Sequence, residues 1–98
     1  MKINPYLSFD GPCRAAFEFY EKTLGGKIAF IQTIGDSPMA ASMPPEAHGR
    51  VMHVTMVVGD QVLQGADAPP GYFTQPAGFC VALHFDQAEE GEKVFNAL

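Results

Sequence analysis

Ile3-Asn4-Pro5-Tyr6-Leu7-Ser8-Phe9, running through Asp10-Gly11-Pro12 into Cys13 to Leu24, decides the architecture of this chain. Ile3, Leu7 and Phe9 fall on one side of an extended backbone, and Asn4, Tyr6 and Ser8 on the other, which is the period of a half-buried strand. Pro5 donates no ladder hydrogen bond and suits a strand start or an edge. Asp10 offers a carboxylate to the orphan amides of a helix, and Pro12 carries the φ of a first turn, so a helix capped by Asp10 is expected next. Cys13, Ala16, Phe17, Tyr20 and Leu24 form its apolar stripe, with Arg14, Glu18, Glu21 and Lys22 on the wet face. Gly25-Gly26 supplies its left-handed stop.

Beyond this unit, Lys27 to Ile34 is β-branched and aromatic and predicts a second strand. Gly35 to Arg50 holds three prolines and two glycines in 16 residues and reads as a long loop, of the kind used as lids or left disordered, in which His48 is expected to be solvated. Val51 to Val58 predicts a strong strand with Met52, Val54, Met56 and Val58 on one face and Val51, His53, Thr55 and Val57 on the other. Gly59-Asp60 then predicts a tight hairpin into Gln61 to Ala66. Residues 67–78, with three prolines and two glycines in twelve, read as a linker. Phe79, Val81, Leu83 and Phe85 alternate with Cys80, Ala82 and His84 as a further strand. Asp86 to Glu89 gives a capping signal for a helix whose stripe is Gly91, Val94, Phe95 and Leu98.

Strand, acidic cap and amphipathic helix therefore occur twice. Leu7, Phe9 and Asp10 match Leu83, Phe85 and Asp86 at an offset of 83 − 7 = 76, and the helix stripes match at 91 − 13 = 78. The expected fold class is α+β, a βαβββ module repeated in tandem: 1–66 a complete module, 67–78 a linker, 79–98 the start of a second. The counterpart of Leu24 would be residue 24 + 78 = 102, past Leu98, so the second copy is expected to be truncated after its first strand and helix.

Six Lys and Arg against 11 Asp and Glu leave a net charge of −5, and no basic cluster interrupts it, which excludes nucleic-acid binding through a basic patch. No apolar run approaches the roughly 20 residues of a spanning helix, and the N-terminus has no signal-peptide pattern, so no membrane partner and a cytoplasmic location are expected. Cys13 and Cys80 are expected as free thiols.

The order Asn4-Pro-Tyr-Leu-Ser-Phe-Asp-Gly11, Ala16-Phe-Glu-Phe-Tyr20, Gly25-Gly26, Val51-Met-His53, Val57-Val-Gly-Asp-Gln-Val-Leu63, Gly65-Ala-Asp67 and Gly78-Phe-Cys-Val-Ala-Leu83 resembles the vicinal-oxygen-chelate superfamily of glyoxalase I, extradiol dioxygenases and bleomycin resistance proteins. Within it the wording is closest to the PhnB-like group, which often carries a 3-demethylubiquinone 3-methyltransferase name. The resemblance implies paired modules forming a ligand cup, often across a homodimer. In metal-dependent relatives it implies protein ligands at places that hold Asn4, Gln64 and Cys80 here. Neutral amides and a lone thiol are poor ligands for a divalent ion, so no cofactor and no metal residue are expected.

With the odd positions of the first strand packed on the helix, Asn4, Tyr6, Ser8, Gln64, Cys80 and His84 are left for the face where the resembling family binds ligands. His53, Gln64, Tyr6, Cys80 and Asp67 are the candidate ligand-binding residues. His53 reads either as a hydrogen-bonded structural histidine or as a ligand or acid-base group, and Asp67 either as a turn cap or as a ligand contact. No nucleophile elbow, phosphate loop or dinucleotide fingerprint occurs, and a methyltransferase of the common kind lacks its Gly-rich βα turn. The expected function is small-molecule binding, or a lyase-type activity, without a functional metal site. The alternatives are a non-catalytic dimerising module and a metal-dependent glyoxalase-like or dioxygenase-like enzyme.

Overall fold

The computed structural model describes residues 1–98. The chain runs β1 (Tyr6–Phe9), α1 (Cys13–Leu24), β2 (Lys27–Thr33), β3 (Val51–Val58), β4 (Gln61–Asp67) and α2 (Ala88–Ala97), with three short 3-10 turns between β2 and β3. The fold is α+β. Its four strands form one sheet in the order β1-β4-β3-β2, with β1 parallel to β4 and the other pairs antiparallel. Gly59, at φ 62°, turns the two-residue hairpin that sets Val58 opposite Gln61.

Helix α1 covers one face of the sheet. Cys13 and Phe17 pack on Val51, Val54 and Met56 as a fully buried cluster, ringed by Phe9, Tyr20, Leu24, Ile28, Ile31, Val58 and Leu63. Phe17 meets Phe9 and Tyr20 edge-on, with ring centroids 6.2 and 5.6 Å apart. Burying a side chain of this size contributes about 1.5–3 kcal/mol.

Alternation groups Val51 with His53, Thr55 and Val57, and this is corrected: Val51 is buried with Val54 and Met56 under the helix. The β2–β3 register slips between Gln32, opposite His53, and Thr33, opposite Val51, which leaves Met52 without a partner. A bulge of this kind reverses the facing of what lies beyond it, so Val51 enters the core.

Two further expectations change at the ends of α1 and in the loop. Asp10 does not cap the helix; it forms an ion pair with Arg50 at 2.7 Å. The cap comes from Asp67, the last residue of β4. Its Oδ1 accepts the N–H of Gly11 at 2.7 Å and of Cys13 at 3.1 Å, and its Oδ2 accepts the N–H of Val51 at 2.8 Å. Residues 34–50 are ordered by local bonds: the Ser37 hydroxyl donates to the Ile34 carbonyl at 2.7 Å, and His48 Nε2 lies 2.9 and 3.2 Å from the carbonyls of Ala40 and Met43. Two carbonyl partners require a proton on Nε2, so His48 staples the loop instead of being merely solvated.

The expected strand over 79–85 is not formed. The segment lies outside every strand and makes no main-chain hydrogen bond. Alternation had identified its period but not a partner, and a strand exists only as part of a ladder. In α2 the cap position is Gln87, without a side-chain capping bond, where the sequence signal had pointed to Asp86. Of the α2 stripe only Val94 is buried, while Phe95 and Leu98 are exposed.

The two thiols differ sharply. Burial, followed by the adjacent Asp67 carboxylate and partly countered by Arg14, pushes Cys13 up from 9.0 to about 12, whereas Cys80 is exposed. At neutral pH a disulfide reagent should therefore titrate Cys80 at once and Cys13 only as the protein unfolds; two fast thiols in the native protein would contradict this burial. Because the folded state holds the Cys13 proton more tightly than the unfolded chain, that contribution to stability is intact below 9.0 and declines as pH rises towards about 12.

Candidate ligand-binding face

Opposite α1, alternation along each strand presents a second set of side chains. The register Tyr6–Gln64–Thr55–Phe30 runs straight across β1, β4, β3 and β2, and His53 stands opposite Gln32 one step along. Cross-strand neighbours of this kind have Cβ atoms about 4.5–5.5 Å apart, so the row forms one continuous surface.

A hydrogen-bonded chain runs through it. The Tyr6 hydroxyl lies 3.1 Å from His53 Nδ1, and His53 Nε2 lies 2.9 Å from Thr55 Oγ1. With a neutral imidazole only two arrangements satisfy both bonds. Either Tyr6 donates to Nδ1 and Nε2–H donates to Thr55, leaving the Thr55 proton free, or Thr55 donates to Nε2 and Nδ1–H donates to Tyr6, leaving the Tyr6 proton free. The relay thus presents one free donor, at one end or the other, according to the tautomer of His53. Partial burial, then the Cys13 thiol, raises Tyr6 above 10.0, so it works as a neutral phenol at physiological pH. Aromatic rings flank the imidazole, Tyr6 at 5.7 Å and Phe30 at 6.1 Å between centroids. Gln64, between Tyr6 and Thr55 in the row, adds an amide donor and acceptor. None of the side chains in this set carries a formal charge.

Of the residues expected here from sequence, Tyr6, His53 and Gln64 are brought together. Cys80 lines, with Asn4 and Tyr6, a cleft of about 440 Å³ between Ile3–Leu7 and Phe79–Ala82. His84, expected on the same face, lines instead a wider cleft of about 840 Å³ with Leu24, Leu63 and Val94 on the α1 side. Asp67 lies on the helix face with both carboxylate oxygens committed to backbone amides. Phe30 was missed, because the slip in the β2–β3 register between Ile28 and Phe30 breaks the alternation that would have placed it.

The places that the resemblance assigns to metal ligands hold Asn4, Gln64 and Cys80, and no three His, Cys, Asp or Glu side chains converge anywhere. This donor set does not fit a divalent ion. No helix is long and apolar enough to cross a membrane.

A four-stranded mixed sheet with one face under a helix and a neutral, hydrogen-bonding opposite face defines a small α+β protein of the βαβββ type. Comparison with known proteins makes the relation particular: the chain belongs to the family of protein PA1353 from Pseudomonas aeruginosa. It is 37% identical to that protein, covers all of this chain and 71% of that one, and superposes with a TM-score of 0.85. The PhnB protein from Bacillus cereus, which carries a 3-demethylubiquinone-9 3-methyltransferase name, shares the fold at 24% identity and a TM-score of 0.69, over 73% of its length. Protein YjdN of Escherichia coli strain K12 is 28% identical over 106 residues, spanning all of this chain and 72% of that protein. No family model matches the chain.

Proposed function

We propose that this is a small-molecule binding protein, or a lyase-type enzyme, of the vicinal-oxygen-chelate superfamily and its PhnB-like group, with 79–98 as the opening of a second module. The observation that carries the reading is the Tyr6–His53–Thr55 relay with Gln64 beside it, on a sheet face that no helix covers. Proton-relaying groups on an uncharged, partly aromatic surface suit a small neutral ligand with hydrogen-bonding groups. The methyltransferase name is not adopted. The turn before α1 is Asp10-Gly11-Pro12, and the amides of Gly11 and Cys13 at the helix entrance are already bonded to Asp67.

The test is a screen of neutral small molecules by thermal shift, followed by titration of the hits. His53→Ala and Gln64→Ala should each weaken a true ligand by about tenfold or more, equivalent to about 1.4 kcal/mol. Unchanged affinity in both variants would remove the site from this face.

A second reading, a homodimerising module, is favoured by one observation: Phe79–Phe85 is an apolar segment with no strand partner.

A further inference from the structure

A neutral imidazole holds one N–H and one lone pair, and in the Tyr6–His53–Thr55 relay both are taken. Where Tyr6 donates to Nδ1, its oxygen meets a ligand only as an acceptor, while Thr55, accepting from Nε2, keeps its own proton as a donor. In the other tautomer the two ends exchange roles. Either end can therefore accept, but only one of them can donate at a time. We infer that the ligand of this face is a neutral molecule with an acceptor at one end and a donor at the other, a hydroxy-carbonyl or amino-carbonyl compound, and that dicarbonyl compounds of the same shape are rejected. This deepens the ligand-binding reading above and rests on it.

Three observations support this class. The bonds at the two ring nitrogens, 3.1 and 2.9 Å, are both of ordinary hydrogen-bond length, so the imidazole is engaged on both sides at once. They are also the only side-chain hydrogen bonds that Tyr6, His53 and Thr55 make, so no further group adds a proton to the relay or withdraws one. Finally, the two oxygens are separated by a whole imidazole ring and two hydrogen bonds. The matching groups of the ligand therefore lie at its opposite ends and not on adjacent atoms. Gln64 carries a donor and an acceptor and favours neither class, which leaves the discrimination to the relay. A ligand lying over the relay excludes the water that would fill a mismatched end, and an acceptor set against an acceptor loses its hydrogen bond.

The test uses the full chain at mildly alkaline pH, where imidazole is neutral, and two compounds of one shape. In 4-hydroxycyclohexanone a hydroxyl faces a ketone across the ring; in 1,4-cyclohexanedione both groups are ketones. Titration followed by NMR should shift the amides of Tyr6, His53 and Thr55, with the hydroxyketone bound about tenfold or more tighter than the dione. Equal affinities on this face would overturn the inference and leave the ligand-binding reading standing. Binding of neither compound would overturn it too, and the ligand-binding reading would then rest on the wider screen described above. His53→Phe keeps a ring between Tyr6 and Phe30 but disconnects the two hydroxyls, so that both are free to donate. The two compounds should then bind this variant within about twofold of each other. A preference that survives in a folded variant would show that it does not come from the relay. In the wild-type complex with the hydroxyketone, ring-nitrogen NMR shifts of His53 should report one protonated and one bare nitrogen. Two protonated nitrogens would free the protons of both hydroxyls and overturn the inference whatever the variant does.

Discussion

Asp67→Ala is expected to lower the unfolding free energy by about 3–5 kcal/mol, the largest loss of any single polar substitution in the chain. The carboxylate accepts three backbone N–H groups at 2.7–3.1 Å, from Gly11, Cys13 and Val51, and the residue is 5% exposed. Removing it leaves three donors with no acceptor where water has little access, and hydrogen bonds to a charged group are each worth about 1.5–3 kcal/mol. It also strips the negative charge from the N-terminus of α1, where the helix dipole favours it. A chain of this length has about 5–15 kcal/mol to lose, so the variant should unfold at markedly lower urea concentration. Asp67→Asn should fall between the two. One amide oxygen can still accept from Gly11 and Cys13, but its NH2 would face the Val51 N–H, donor against donor. Urea unfolding followed by circular dichroism decides the point. A loss under about 1 kcal/mol in Asp67→Ala would mean that these bonds are exchanged for water at little cost.

Gly65→Ala is the second large effect. A Cβ at this position would lie 2.6 Å from Phe17 Cε1 and 2.9 Å from the Leu7 carbonyl oxygen. Neither neighbour is free to move. Phe17 is fully buried against β3, and Leu7 is the partner of Gly65 in the parallel ladder. Overpacking of this kind typically costs about 1–3 kcal/mol, and with backbone on one side the upper end is expected. The cost should be coupled to the ring. Phe17→Leu loses packing alone, but in the double variant with Gly65→Ala it should recover part of the second loss, so the two changes sum to less than their separate effects. Strict additivity would show that the ring is not what the new methyl meets.

Local order in the sequence made the βαβββ succession readable. The alternation of Leu7 and Phe9, the stripe from Cys13 to Leu24 and the Gly59-Asp60 turn each act within a few residues, and each is found where those patterns place it. What was not legible depended on partners distant in the chain. Asp10 was the natural local cap, but it pairs with Arg50, and the helix takes its cap from Asp67, 54 positions beyond Cys13. The bulge at Met52, which turns Val51 inward, is a property of two strands and is invisible in either alone. Phe79 to Phe85 erred in the other direction: its period is that of a strand, yet nothing in its own residues states whether a neighbour exists. On the candidate face, Tyr6, His53 and Gln64 were found by parity. Their order across the sheet, and the reach of His53 to both Tyr6 and Thr55, required the register.

The long reach of Asp67 has a consequence for the order of folding. Helix α1 has no side-chain cap of its own, and at 12 residues it is marginal in isolation. Its first amide, that of Cys13, and the Gly11 amide just before the helix gain their side-chain acceptor only when the end of β4 arrives beside β1, through loops of 54 and 56 positions. The same carboxylate closes a shorter loop of 16 to the start of β3. A nascent chain therefore cannot gain this cap until residue 67 has been made, and capping of the helix is coupled to formation of the hairpin and the parallel pair.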